Sequence, residues 1–202
     1  MHIGLDFDNT IVTYDRLFHR AALERGLIAA GVPQRKREVR DAIRLLAGGE
    51  DAWTELQGVV YGRRMREAEP APGVELFLAA CSAAAVRVSI ISHKTEFPAI
   101  GARVSLREAA RGWLAARGLL ARHGIDPADV FFVGTLGEKL ALIGNRACTH
   151  FVDDLVEVLG HPAFPPGVER ILYAPPGGAP PVGVIAFDTW EAIERHLFGD
   201  SR

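Results

Sequence analysis

Short apolar runs alternate with longer segments of helical periodicity along most of the chain. The runs are bounded by polar or turn-forming residues, so each one predicts a buried strand. They cover residues 3–7, 86–91, 130–133, 149–152, 170–173 and 184–187, with a Pro- and Gly-rich loop at 174–183 before the last. Apolar residues at helical spacing occur at 74–84, 105–123 and 189–197, and a short helix begins near residue 138. This alternation predicts an α/β fold with a doubly wound parallel sheet and right-handed crossovers.

The segment between the first and second strands has a different character. Apolar positions recur at helical spacing at about 17–28, 37–46 and 51–66, without a strand pattern. Gly31-Val32-Pro33 ends the first of these helices and Gly48-Gly49 ends the second. Pro70-Ala71-Pro72-Gly73 marks the return to alternating strands and helices. We therefore predict two domains, an α/β core formed by 1–14 and 70–202 and a small all-helical insertion at 15–69.

The overall composition narrows the class of protein. The 202 residues are 49% hydrophobic and 24% charged, with a formal net charge of −2. This balance gives no basis for binding a nucleic acid polymer or a membrane surface. No apolar run approaches the roughly 18 residues of a membrane span, and Met1 leads almost directly into a strand. We expect a cytoplasmic protein with a small-molecule partner, and the sequence leaves its oligomeric state open.

Cysteine and lysine usage adds two expectations. Cys81 and Cys148 lie in apolar surroundings far apart in the sequence, which favours buried free thiols, and no Cys/His cluster has zinc spacing. Of the 23 basic residues, only Lys36, Lys94 and Lys139 are lysines. Because Arg and Lys are not interchangeable, a lysine near a functional site indicates a need for a compact ammonium group.

Residues with chemical potential cluster at the ends of predicted strands. Asp6 and Asp8 follow the first strand at spacing i, i+2, which places two strand residues on the same side. Two converging carboxylates need a cation or a proton, although a turn rich in Asp and Asn is an equally valid interpretation of this motif alone. Other strand ends carry Ser92 and the pair Asp153-Asp154, and Lys139 opens a helix after another strand. Since ligands bind at the carboxyl ends of parallel strands, these groups are expected to form one site.

Taken in order, these elements are a D-x-D-x-T strand end (Asp6 to Thr10), a strand-end Ser92, a helix-start Lys139 and the pair Asp153-Asp154. The set resembles the four motifs of the haloacid dehalogenase-like (HAD) superfamily, in its phosphatase form. The resemblance covers the predicted core, and the helical insertion is similar to the superfamily's C1-type cap. It implies a Rossmann-like core and an aspartyl-phosphate intermediate.

The resemblance also implies a role for each motif residue. Asp6 is expected to be the nucleophile, Asp8 the general acid and then the general base, and Lys139 the group that neutralises phosphoryl charge. Asn9 and Thr10 are expected to shape the turn rather than react. The cofactor implied is Mg²⁺, which prefers hard oxygen ligands. The candidate metal ligands are Asp6, Asp8 through its carbonyl, Asp154 as a direct ligand and Asp153 behind it or against Lys139; the candidate phosphate-binding residues are Ser92, Thr10, Asn9 and His93.

The substrate is less well defined. Lys94 and Arg103, in the segment after Ser92, are candidates for binding an anionic leaving group, and a solvated polar loop is an equal alternative. We expect a Mg²⁺-dependent hydrolase of phosphomonoesters that acts on a small soluble phosphorylated metabolite, either a sugar phosphate or another biosynthetic intermediate. The alternatives are a 5′-nucleotidase acting on nucleoside monophosphates, a regulatory phosphate-binding protein without useful turnover, and a phosphoryl-transferring mutase.

Overall fold

A computed structural model describes residues 1–174 and 180–199, so positions 175–179 of the predicted loop at 174–183 lie outside the described residues. The chain divides into two compact units. One, the α/β unit, comprises Met1–Val12, Pro70–Lys94 and Gly118–Arg202. The other, the helical unit, comprises Thr13–Glu69 and Thr95–Arg117. In the described part of the chain, no helix combines the length and apolar character that crossing a membrane requires.

The strands, in chain order, are β1 (His2–Leu5), β2 (Val12–Thr13), β3 (Glu69–Pro70), β4 (Arg87–His93), β5 (Val130–Val133), β6 (His150–Asp153), β7 (Glu169–Tyr173) and β8 (Val184–Phe187). The α/β unit is built on a six-stranded parallel sheet in the order β5-β4-β1-β6-β7-β8, and the short strands β2 and β3 pair with each other instead. Leu5, the last residue of β1, aligns with Ile90 of β4 and Val152 of β6. The carboxyl ends of these three strands therefore lie side by side.

Helices flank the sheet and form the helical unit. They are α1 (Asp15–Glu24), α2 (Lys36–Arg44), α3 (Gly49–Gly58), α4 (Val74–Ala83), α5 (Leu106–Ala116), α6 (Leu119–Arg122), α7 (Leu136–Asn145), α8 (Val156–Leu159) and α9 (Trp190–Phe198). A π-helical turn at Val59–Arg63 follows α3, and 3₁₀ turns occur at Met65–Glu67 and Pro127–Asp129. This arrangement confirms the predicted α/β class with its parallel sheet.

The core of the α/β unit explains why its central strand contains a glycine. A Cβ atom at Gly4 of β1 would lie 2.5 Å from a ring carbon of Phe151, so only glycine fits there. Phe151 belongs to a buried cluster that includes Leu140 and Ile143 of α7. A separate aromatic contact, with ring centroids 4.6 Å apart, joins Phe77 of α4 to Trp190 of α9. Both cysteines are buried free thiols, as predicted.

The helical unit has an aromatic core. The rings of Phe18 and Trp53 are stacked at 4.8 Å, and those of Tyr14 and Tyr61 meet edge to face at 4.9 Å. Phe18 and Trp53 are buried, so these rings are packed inside the unit. The indole of Trp113 in α5 donates a hydrogen bond to the Ala68 carbonyl at 2.9 Å. Residues Thr95–Arg117 therefore group with the helical unit, whereas the sequence analysis placed them in the core.

Several predicted boundaries were wrong. Strand β1 ends at Leu5 rather than residue 7. The Asp6 amide makes the last hydrogen bond of the β1–β6 ladder, and the chain then turns away from the sheet. The single helix expected at 105–123 is interrupted at Gly118, whose φ of +62° is left-handed and ends α5. The helix expected at 51–66 gives way to the π-helical turn after Gly58. The helix near residue 138 is longer than expected, and α8 was not predicted.

Candidate active site

The turn after β1 places two carboxylates at the carboxyl end of the central strand. The Asp6 amide donates to the Val152 carbonyl at 2.9 Å, which extends the β1–β6 ladder by one residue. The chain then reverses, and the amides of Ile11 and Val12 both donate to the Phe7 carbonyl. Asn9 adopts a φ of +59°, a left-handed conformation that Asn tolerates better than most residues. The polar turn therefore follows from local residue preferences.

A buried lysine links two strand ends. The Lys139 ammonium donates to Asp6 Oδ1 at 2.5 Å and to Asp153 Oδ2 at 2.6 Å. Lys139 is 2% exposed, Asp6 5% and Asp153 0%, so water screens these contacts very little. Lys139 reaches this position because α7 begins just before it, at a capping box between Thr135 and Glu138. The predicted partnership of Lys139 with Asp6 and Asp153 is present in the structure.

A third carboxylate completes a compact acidic group. Ligand oxygens of Asp6, Asp153 and Asp154 all lie within 4.8 Å of one another, and no other metal-competent group of three occurs in the described ranges. The Asn9 side-chain amide donates to Asp154 Oδ2 at 3.3 Å. The amide of Leu155 donates to Asp153 Oδ1 at 2.9 Å, which fixes that carboxylate. Asp153 therefore faces Lys139 while Asp154 faces the turn after β1.

The electrostatics of this group show an excess of negative charge. Burial raises the pKa of Asp153 to about 7, helped by the charge of Asp6 and opposed by Lys139. Burial and the charges of Asp6 and Asp153 also raise the pKa of Asp154 well above its ordinary value. For Lys139, burial disfavours the charged form, but the two carboxylates outweigh it and the pKa is raised. Three carboxylates thus cluster near one ammonium group, which contacts two of them.

This donor set fits a hard divalent cation. Carboxylate oxygens are the ligands that Mg²⁺ prefers, and the shared negative charge is what a bound cation would compensate. The described residues place no histidine or thiol in the group, so softer metals are not favoured by its chemistry. The chemistry of this donor set is therefore suited to a hard divalent cation.

The second carboxylate of the turn has its own cation. The Lys94 ammonium donates to Asp8 Oδ1 at 2.9 Å and Oδ2 at 2.7 Å. It also lies 5.6 Å from the centroid of the Phe7 ring. The sequence predicted a role for Lys94 in substrate specificity and gave no indication of its pairing with Asp8. The available signal was the scarcity of lysine, combined with its place two residues after Ser92.

The remaining predicted site residues have varied positions. Ser92 is buried near the end of β4, and Thr10 is fully buried with its hydroxyl unpartnered. The ring of exposed His93 shares a hydrogen bond with the Gly134 carbonyl at 2.9 Å. Arg103 belongs to the helical unit, where its guanidinium stacks 3.8 Å above the centroid of the Phe97 ring. The α/β unit therefore contains every predicted site residue except Arg103, and their roles stay predictions.

Fold and site together define an α/β protein with a carboxylate–lysine constellation at the carboxyl ends of its central strands. No protein-family model and no curated protein matches the chain significantly. Solved structures do match the chain significantly. A HAD family hydrolase from Deinococcus radiodurans R1, with bound phosphate and sodium, has a TM-score of 0.53 and 16% identity over 97% of this chain and 94% of its own.

Two further structures show the range of proteins with this architecture. A predicted phosphoglycolate phosphatase from Haemophilus somnus 129PT has a TM-score of 0.57 and 16% identity, covering 97% of each chain. Protein Tyrosine Kinase A from Mycobacterium tuberculosis has a TM-score of 0.64, also at 16% identity and 97% of each chain. At such identities the likeness establishes the fold. The chain has the haloacid dehalogenase-like fold, which confirms the fold expected from the four motifs.

Proposed function

We propose that the protein is a Mg²⁺-dependent hydrolase that removes the phosphoryl group from a small phosphorylated metabolite, such as a sugar phosphate, through an aspartyl-phosphate on Asp6. The observation that carries the proposal is the placement of Asp6 at the end of the central strand. There it is held by buried Lys139 and lies beside two further carboxylates. The phosphate-bound hydrolase of the same fold supports it by analogy.

In the first half-reaction, an oxygen of the Asp6 carboxylate attacks phosphorus, and the bond from phosphorus to the leaving-group oxygen breaks. Asp8 donates its proton to that oxygen, so the product leaves as an alcohol. Lys139 positions the Asp6 side chain before attack and offsets negative charge at the phosphoryl group. Ser92 donates a hydrogen bond to a phosphoryl oxygen.

In the second half-reaction, Asp8 is a carboxylate and accepts a proton from a water molecule. The resulting hydroxide attacks phosphorus, the bond to the Asp6 oxygen breaks, and inorganic phosphate leaves. Asp6 and the proton on Asp8 are both restored. Asp8 therefore alternates between acid and base, which requires one carboxylate that faces both the leaving group and the attacking water.

Asp6, Asp154 and the Asp8 carbonyl are the groups proposed to hold the magnesium ion, with Asp153 behind them against Lys139. When bound, Mg²⁺ supplies positive charge that allows an anionic nucleophile to approach an anionic phosphate. The fit rests on three clustered carboxylates and a single ammonium group, which contacts two of them.

A panel of phosphorylated compounds, assayed for phosphate release with and without Mg²⁺, tests the proposal. The panel includes sugar phosphates, other phosphorylated intermediates and nucleoside monophosphates, and Asp6→Asn is the inactive control. We expect Mg²⁺-dependent release from at least one sugar phosphate or related intermediate. Preference for nucleoside monophosphates would identify a nucleotidase instead. Saturable phosphate binding without release would contradict an enzymatic role.

A further inference from the structure

Two of the three lysines of this chain are buried in the α/β unit, and each one contacts a different carboxylate of the turn after β1. Lys139 contacts Asp6, and the proposed function already gives this contact a role. Lys94 contacts both oxygens of Asp8, at 2.9 and 2.7 Å. The side chain of Lys94 is 3% exposed and that of Asp8 is 22% exposed. The ammonium is thus enclosed, while the carboxylate remains accessible.

The backbone of Lys94 is held by the sheet, and its ammonium lies beside an aromatic ring. Its amide donates to the Val133 carbonyl at 2.8 Å, which extends the β4–β5 ladder beyond His93. Its ammonium lies 5.6 Å from the Phe7 ring centroid, and Phe7 in turn meets Phe132 edge to face at 5.3 Å. A lysine anchored in this way presents a fixed donor and is poorly suited to following leaving groups of different shapes.

We propose that Lys94 is a positioning residue that fixes the Asp8 carboxylate for proton transfer to the leaving-group oxygen. This inference rests on the proposed function. A carboxylate can accept more than two hydrogen bonds, so the two contacts from Lys94 orient Asp8 without in themselves excluding proton transfer. The ion pair therefore sets the direction of the carboxylate without using up its capacity to act as acid or base.

This role differs from the one expected from the sequence. A specificity residue would give its ammonium to a charged leaving group, and its loss would affect charged leaving groups most. A positioning residue acts on Asp8. Its loss slows each reaction in proportion to how much the leaving-group oxygen needs a proton from Asp8. Leaving groups of high basicity need it most, whereas a weakly basic leaving group such as p-nitrophenolate departs without it.

The test compares kcat/KM for three phosphate esters, since this ratio reports the steps up to formation of the phosphoenzyme. The substrates are p-nitrophenyl phosphate, a neutral alkyl phosphate and an alkyl phosphate that carries a carboxylate. For Lys94→Met we expect a loss of about 10- to 100-fold with both alkyl esters, the range associated with a displaced catalytic group. With p-nitrophenyl phosphate we expect a loss of less than about threefold, because that leaving group needs little acid catalysis.

A double-variant cycle gives an independent readout. Asp8→Asn should show the same dependence on the leaving group, and Lys94→Met combined with Asp8→Asn should be no slower than Asp8→Asn alone. The double variant also removes both charges together, so it remains informative if Lys94→Met alone folds poorly. Arg87→Met is the matched control, because Arg87 begins the same strand and pairs with Asp129 instead. We expect this control to show no dependence on the leaving group.

Three results would overturn the inference. A loss confined to the carboxylate-bearing ester would make Lys94 a specificity residue. An equal loss with all three esters, accompanied by lowered thermal stability, would make its role purely structural. Additive losses in the double variant would show that Lys94 acts independently of Asp8. If the wild-type protein hydrolyses none of the esters, the proposed function fails and this inference fails with it. The three results above all require an active wild-type protein, so the two kinds of failure are distinguishable.

Discussion

Replacing Lys139 with methionine removes the cation shared by Asp6 and Asp153 while nearly preserving the volume of the side chain. The three residues are almost completely buried, and the ammonium lies 2.5 and 2.6 Å from the two carboxylates. The metal-free variant must therefore either keep a buried carboxylate charge without its partner or bind one more proton than the wild type. Each choice carries a free-energy cost that can be worked out.

Leaving a buried charge without its partner costs about 3–5 kcal/mol. The cost cannot exceed that of protonating one carboxylate, which sets a ceiling. Protonation of an ordinary Asp, with a pKa near 3.9, costs about 1.4 kcal/mol for each pH unit above that pKa. The ceiling is therefore about 4 kcal/mol at pH 7 and about 1.5 kcal/mol at pH 5. The folded variant then holds more protons than its unfolded state, so its stability falls as pH rises. We predict destabilisation of about 3–4 kcal/mol at pH 7 and about 1–2 kcal/mol at pH 5.

Urea unfolding of the metal-free wild type and variant at both pH values measures the difference. Lys36→Met is the matched control, because Lys36 is a half-buried lysine over the rings of Phe18 and Tyr61 in the helical unit. Its loss should cost less than about 1 kcal/mol, with no change between pH 5 and 7. A loss for Lys139→Met that is equal at the two pH values would refute the electrostatic reasoning and indicate a packing defect instead.

Three further predictions concern catalysis and the metal. Asp6→Asn should abolish turnover while retaining the thermal unfolding profile, because an amide oxygen is a poor nucleophile. Substantial activity of this variant, with deamidation excluded by mass spectrometry, would contradict the mechanism. EDTA should abolish phosphate release, Mg²⁺ should restore it and Ca²⁺ should support little, because its larger and less regular coordination misplaces the reacting groups; full activity in chelator would rule out the metal site. Asp154→Ala should weaken Mg²⁺ binding in calorimetry more than Asp153→Ala, because Asp153 is committed to Lys139; the opposite order would exchange their roles.

The parallel sheet and the site at its carboxyl edge were predictable because both depend on short-range patterns. A buried parallel strand is an apolar run, and the polar residues that follow each run must lie at the same edge as those of its neighbours. Asp6, Ser92 and Asp153 are placed together on that argument alone. Lys139 was predictable as a helix-start residue, since Thr135 and Glu138 form the capping box before it.

Features that depend on tertiary contacts were not predictable in the same way. The i, i+2 spacing predicted that strand geometry would place Asp6 and Asp8 on the same side, but the chain leaves the strand after Leu5. Their carboxylates contact different lysines as a result. The grouping of Thr95–Arg117 with the helical unit depends on contacts such as the hydrogen bond from Trp113 to Ala68, between residues distant in sequence. No local pattern encodes such pairings.

The separate partners of Asp6 and Asp8 bear on how one turn can supply two kinds of chemistry. Carboxylates that perform different tasks need environments that distinguish them. Asp6 is buried, shares its lysine with Asp153 and lies within a group suited to a metal ion. Asp8 lies outside that group, contacts Lys94 through both oxygens and keeps part of its surface open. The first environment encloses a carboxylate beside the other two acidic groups, as the proposed nucleophile requires, and the second leaves a carboxylate accessible to a leaving group and to water. The division of labour proposed for these two residues therefore agrees with their different partners and exposure.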